Sequence, residues 1–301
     1  MNLYQQTIAK SVSISGVGLH SGKKVNLTIN PAPSNHGIKF KRTDLPDSPD
    51  INAHFNMIVD TSLATVIGFN GFIISTIEHI MAAFSGLSID NALVELDAHE
   101  VPVMDGSANP FTFIIQEAGI VKLDAPRYYF VIKEPIIHTD NDKSVTMYPS
   151  NNFKISYTID FDHPLIKKQY YSLEISEKTF ASEIAMARTF GFLNEYELMK
   201  KFGLAMGGSL DNAVVVDDHD IINSEGLRYP DEFVRHKLLD CIGDFALLGL
   251  PILGHVVLEK SGHSFNHSFI QKFFSKKGSW VTRTLQDLKS VPAFQSKSLA
   301  I

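Results

Sequence analysis

The stretch Asp231-Glu232-Phe233-Val234-Arg235-His236-Lys237-Leu238-Leu239-Asp240-Cys241-Ile242-Gly243-Asp244-Phe245 reads as one long helix. Leu238, Leu239, Ile242 and Phe245 make most of its surface apolar. His236, Asp240 and Asp244 recur every four residues, which lays them along one stripe at a rise of about 6 Å per step. A solvated stripe usually mixes Lys with Glu, and this one does not. A carboxylate held inside an apolar helix needs a partner or a metal, and His and Asp four apart can chelate one ion.

Around this helix, Asp231 to Leu248, the order of elements is regular. A strand Ile252 to Glu259 follows, then the turn Lys260-Ser261-Gly262-His263, then a helix near His267 to Phe274. The first half has the same order. Ser75 to Gly86 reads as a helix with Ser75 and Thr76 as caps and Glu78 in its first turn. Asn91 to Leu96 reads as a strand, Met104 to Pro110 as a turn, and Phe111 to Ala118 as a second helix with Pro110 near its start. Val25-Asn26-Leu27-Thr28-Ile29 alternates apolar and polar residues as a half-buried strand does. The fold expected is α+β, two similar two-layer halves of sheet plus helices with the site between them. The connector Lys122-Leu123-Asp124-Ala125-Pro126-Arg127 divides domain 1–126 from domain 127–301. No Gly-rich phosphate turn suggests a doubly wound parallel sheet.

The 301 residues are enough for about two domains, each able to bury its own core. Lys plus Arg number 27 against 33 Asp plus Glu, so the net charge of −6 argues against nucleic acid, whose binders cluster cations. Cys241 is the single cysteine and requires no oxidising compartment. The start has no basic segment followed by an apolar one. The longest apolar stretch, Phe245 to Leu258, contains Pro251 and His255 and falls short of the roughly 20 residues that span a bilayer. A cytoplasmic protein without stable membrane insertion, acting as a monomer, is expected.

A catalytic metal site needs a third protein ligand and an open position. His79, in the apolar run Thr76-Ile77-Glu78-His79-Ile80-Met81, supplies the candidate, giving two His and one carboxylate with His236 and Asp240. Glu78 beside it can take a proton from an activated water without occupying a coordination position. Release of an amine then asks for an acid opposite, and His263, oriented by Asp244, would serve. Two other readings use the same ligands: a non-haem iron oxygenase, and a binding module whose metal is structural. Iron oxygenases commonly take their first His and carboxylate from closely spaced strand positions, and structural zinc sites are usually closed by four ligands and rich in Cys.

These residues and their surroundings resemble the bacterial UDP-3-O-acyl-N-acetylglucosamine deacetylase family, zinc amidases of lipid A synthesis. The matching segments include Gly16 to Val25, Ser75 to His79, Val103 to Ala108, Ile159 to Pro164, Ala187-Arg188-Thr189-Phe190-Gly191-Phe192, Asp231 to Asp240 and Ser261-Gly262-His263. The resemblance implies one Zn(II) per chain, in a site that also accepts Fe(II), on His79, His236 and Asp240. It implies Glu78 as general base, His263 as general acid with Asp244 behind it, Thr189 on the developing oxyanion, and Lys237 near the phosphate and reacting end. The substrate implied is a UDP-linked acylated glucosamine.

By the same resemblance Lys143, Asp160 and Phe161 contact the uridine diphosphate. The insert 192–215 forms the hydrophobic passage for the acyl chain, which brings in Phe192, Tyr196, Gly208, Leu210 and Val215, with Phe190 beside it as a further substrate-binding residue. Tyr196 and Leu210 stand where other apolar residues are expected, and a Tyr in the passage wall would shorten the accepted chain. Ser279 to Ile301 carries no motif.

Overall fold

The computed structural model describes residues 1–290. Its helical segments are α1 Glu78–Gly86, α2 Asn109–Ala118, the short α3 Glu177–Thr179, α4 Leu193–Lys201, α5 Glu232–Ala246, α6 His263–Ser275 and α7 Leu285–Ser290. One sheet has five strands in the order Val12–Val17, Lys24–Pro31, Ala92–Leu96, Ile38–Arg42, Ile51–Asn52. A seven-stranded sheet is built around Ile252–Glu259, flanked by Lys143–Pro149 on one side and Phe153–Asp160 on the other. Tyr4–Ile8 pairs with Ile120–Pro126, so the chain returns to its own start before residue 127.

The order read from sequence recurs: α1, Ala92–Leu96, α2 in the first part, and α5, Ile252–Glu259, α6 in the second. Strand number and strand order differ between the two sheets. Both sheets are mixed rather than antiparallel. Ala92–Leu96 runs parallel to Ile38–Arg42, and Ile252–Glu259 runs parallel to Phe153–Asp160. The connections explain this, because each contains a helix that carries the chain back across the sheet, as parallel neighbours require.

Three local expectations are corrected. Ser75 and Thr76 do not cap α1. Its cap position is Ile77, and Thr76 has a left-handed backbone (φ 61°) with its hydroxyl donating to Glu100 Oε1 at 3.2 Å. Helix α6 starts at His263, not near His267, because Gly262 is its extended N-cap residue, so His263 heads a helix rather than ending a turn. Helix α2 starts at Asn109, with Pro110 in its first turn. Of the C-terminal stretch, Trp280–Thr284 forms an edge strand against Tyr128–Ile132, and 291–301 lie outside the described residues.

Helices α1 and α5 pack directly on one another and bring Glu78-His79 to the His236–Asp244 stripe. Both are buried almost throughout: Ile80, Ala82 and Ala83 on α1 and Leu238, Leu239 and Ile242 on α5 have no exposed surface. Each fully buried Leu or Ile among them contributes roughly 1.5–3 kcal/mol. The close approach depends on Gly243, where a Cβ would lie 2.0 Å from the carbonyl oxygen of Glu78. Gly243→Ala should therefore destabilise the protein by about 1–3 kcal/mol through overpacking, although alanine is ordinarily the better helix residue. Thermal unfolding checks this, and an unchanged midpoint would show that α1 and α5 can part without cost.

Candidate metal centre and active site

The stripe on α5 is buried, not solvated: His236 is 2% exposed, Asp240 4% and Asp244 3%, and Glu78 and His79 on α1 are 4% each. His236 Nε2 lies 3.2 Å from Asp240 Oδ1, and His79 Nε2 lies 3.6 Å from the same oxygen. The three ligand atoms fall within 4.8 Å of one another. Ligands at about 2.1 Å from a tetrahedral ion are about 3.4 Å apart, so the spacing fits one small divalent cation. Asp240 Oδ1 is buried without a hydrogen-bond partner, which is costly unless a cation compensates it.

Neighbours leave the ligands in the state a metal needs. Ala187 O is 3.1 Å from His236 Nδ1 and accepts its proton, which leaves Nε2 as the donor atom. Burial pushes His236 down to about 3, beyond what Asp240 restores, so the ring is neutral. Burial would raise Asp240, but His236 and Lys237 outweigh it and hold the carboxyl well below the usual range. Lys237 Nζ donates to Asp240 Oδ2 at 3.0 Å.

The acid and base candidates face each other beside this set. His263 Nε2 is 4.0 Å from Glu78 Oε1 and 4.0 Å from Asp240 Oδ2. On its other side His263 Nδ1 donates to Asp244 Oδ2 at 2.9 Å. Burial opposes charge on His263, but Asp244, helped by Glu78 and Asp240, pushes it up to about 10, so the imidazolium is the resting form. Burial raises Glu78 above the ordinary carboxylate value, with His263 and His79 pulling the other way.

Several residues to which the sequence assigned no role hold this site. Thr65 donates its backbone N–H to Glu78 Oε2 at 3.0 Å and its hydroxyl to Asp244 Oδ1 at 2.6 Å, so one buried residue orients both carboxylates. Asn266 Nδ2 donates to Asp244 Oδ2 at 2.8 Å. Its position three residues after His263, on the same face of α6, was a usable signal; Thr65 offered none. Glu232, fully buried, accepts from Arg188 N and Nε, both at 2.9 Å, and from Arg228 N at 2.6 Å. That ion pair fixes the segment from which Ala187 reaches His236.

Thr189 lies on the same segment, between Ala187 and Phe190, whose ring centroid is 6.3 Å from that of His236. Lys237 Nζ stands 5.5 Å over the Phe190 ring. The Phe161 ring is 5.7 Å from Phe190 and 6.0 Å from Phe192, so the three form one aromatic cluster beside the site. Lys143 begins one strand and Asp160 ends another, both beside the end of Ile252–Glu259. There Lys260 Nζ reaches Asp160 at 2.9 Å and Asp142 at 3.3 Å, a cation the motif reading passed over. In the insert, Phe190–Phe192 pairs with Val214–Val216, and Val215 is buried. Tyr196 donates its hydroxyl to Gly208 O at 2.8 Å, while the Leu210 side chain is 43% exposed.

A sequence profile described as UDP-3-O-acyl N-acetylglycosamine deacetylase matches residues 5–275. The chain is 51% identical over 271 residues to the UDP-3-O-acyl-N-acetylglucosamine deacetylase of Myxococcus xanthus, covering 90% of this chain and 86% of that protein. It is 48% identical over 274 residues to the protein of the same name from Geobacter sp., covering 91% and 90%. With that of Teredinibacter turnerae it shares 46% identity over 297 residues, 98% of each chain.

Proposed function

The chain belongs to the UDP-3-O-acyl-N-acetylglucosamine deacetylase family, and from that premise we propose that it hydrolyses the N-acetyl group of UDP-3-O-(3-hydroxyacyl)-N-acetylglucosamine to acetate and the free amine, a step of lipid A synthesis. The observation that carries the reading is the orphaned Asp240 Oδ1 between two histidine nitrogens, with Glu78 and His263 facing each other beside it. His79, His236 and Asp240 would hold Zn(II), or Fe(II) in its place, which when bound supplies Lewis-acid activation of water and of the amide carbonyl.

The remaining work falls to the chain's own groups. Glu78 accepts the proton of the attacking water as its oxygen bonds to the acetamido carbon. The Thr189 hydroxyl donates to the oxygen that gains negative charge, a contribution typically worth about 10²–10³ in rate. His263 passes its Nε2 proton to the nitrogen as the C–N bond breaks, and Asp244 holds the ring in register. Lys237 neutralises Asp240 and faces the substrate's phosphate end. Lys143, Asp160 and Phe161 take the uridine diphosphate, with Phe161 as a stacking face. Phe190, Phe192, Tyr196, Gly208, Leu210 and Val215 line the way of the acyl chain. We place the reaction in the cytoplasm on single chains built as domains 1–126 and 127–301; cell fractionation, gel filtration and limited proteolysis read these three points.

The test is acetate release from UDP-3-O-acyl-N-acetylglucosamine before and after metal stripping. Chelation should lower the rate by more than about 10²-fold, and stoichiometric zinc should restore it. His236→Ala should purify without metal. No release at any acyl length from folded, zinc-loaded protein would overturn the reading.

A further inference from the structure

Glu100 is 1% exposed and belongs to none of the groups assigned above. Its Oε1 accepts the backbone N–H of His20 at 2.8 Å and the hydroxyl of Thr76 at 3.2 Å, and its Oε2 accepts the N–H of Ser21 at 2.8 Å. One buried carboxylate thus holds the loop Gly18–Gly22 and joins it to Thr76, the left-handed residue two positions before Glu78. Loop and carboxylate are fitted to each other, since a Cβ at Gly18 would lie 2.3 Å from Glu100 Oε2.

The far side of the loop faces the insert. Leu19 O accepts from Gly207 N at 3.0 Å and His20 O from Met206 N at 3.1 Å. The Leu19 side chain comes within 3.7 Å of where a Gly208 Cβ would be, and Tyr196 Cε2 within 3.0 Å of the same point. Leu19 and Tyr196 therefore both close in on Gly208. Backbone bonds to Met206 and Gly207 tie this loop to the insert, and Glu100 ties it to Thr76 at the entry of α1.

Resting on the deacetylase reading, we propose that Glu100 is a positioning residue for acyl-chain selection: it fixes the Gly18–Gly22 loop as the first-half wall of the passage. Glu100→Gln separates this role from general support. Gln can keep Oε1 against His20 N and Thr76, but it then turns an NH2 group towards Ser21 N, two donors facing each other. The bonds to Thr76 and His20 survive and the bond to Ser21 is lost.

The experiment compares kcat and KM for acetate release from substrates with a 3-O-butyryl and a 3-O-lauroyl group. Metal content and hydrogen exchange of the Ser21 amide are measured alongside. Glu100→Gln should raise KM for the lauroyl substrate about 10–100-fold, the scale expected for a displaced positioning element. The butyryl substrate should change by less than about threefold, metal should stay bound, and Ser21 should exchange faster. Gly207→Ala, whose Cβ would lie 2.2 Å from Gly18 O, pushes the same loop from the insert side and should reproduce the chain-length effect. It decides the matter alone if Glu100→Gln does not fold. An unchanged lauroyl-to-butyryl ratio in the variants, or equal loss on both substrates, overturns the proposal. Wild-type protein inactive on both substrates overturns the deacetylase reading itself.

Discussion

Glu78→Gln should lower kcat by about 10²–10⁴-fold, the range for removing a positioned general base, while zinc content stays at one per chain. The amide keeps the shape of the carboxylate, and its oxygen can still accept the Thr65 N–H that Glu78 Oε2 accepts at 3.0 Å. Buried hydrogen bonding is thereby preserved, so the expected change in thermal stability is small. What is lost is the basic oxygen 4.0 Å from His263 Nε2. Glu78 is not one of the three atoms clustered for a metal, so metal analysis and turnover should separate cleanly. Activity within tenfold of wild type would assign proton removal to another group. Loss of metal together with activity would make Glu78 a ligand instead.

The metal cluster was legible because its signal is local. His236 and Asp240 are one turn apart on an apolar helix, and burial of such a stripe demands compensation. His79 became the third candidate ligand only by pairing one apolar helix with another, which sequence suggests but cannot measure; Gly243 is what allows the two to meet. Thr65 was illegible for the same reason in stronger form. Its bond to Asp244 spans 179 positions, and a lone Thr in a loop carries no pattern. Thr76 misled because hydroxyl residues before a helix usually cap it, whereas here the hydroxyl serves a carboxylate 24 positions away. His263 was read as a turn residue because Gly262 looks like punctuation; Gly262 is the N-cap residue of α6, and that places His263 on a rigid element. The parallel strand pairs were not legible because alternation reports burial of a face, not the direction of a neighbour.

Asp244→Asn should move the alkaline limb of the pH–rate profile to lower pH by about one to three pH units. His263 must be protonated to donate to the leaving nitrogen, and in the wild type the charged form is favoured up to about 10 against the penalty of burial. Activity should therefore rise with pH as Glu78, itself raised by burial, loses its proton, stay level, and fall only as pH passes through the His263 value. The groups facing the ring are Asp244, Glu78, Asp240 and the Thr65 hydroxyl, the last 3.4 Å from Nδ1. Asparagine removes the nearest negative charge while Thr65 and Asn266 still have a polar partner at position 244. Burial then gains on the remaining carboxylates and the ring deprotonates earlier. At neutral pH the loss should be about twofold at most, and near pH 9 it should grow to about 2–100-fold, short of the loss of about 10²–10⁴-fold expected for His263→Ala. The acid limb, set by Glu78, should hardly move. A profile displaced equally on both limbs, or an alkaline limb that stays in place, would mean that Asp244 supports the helix rather than the charge on His263.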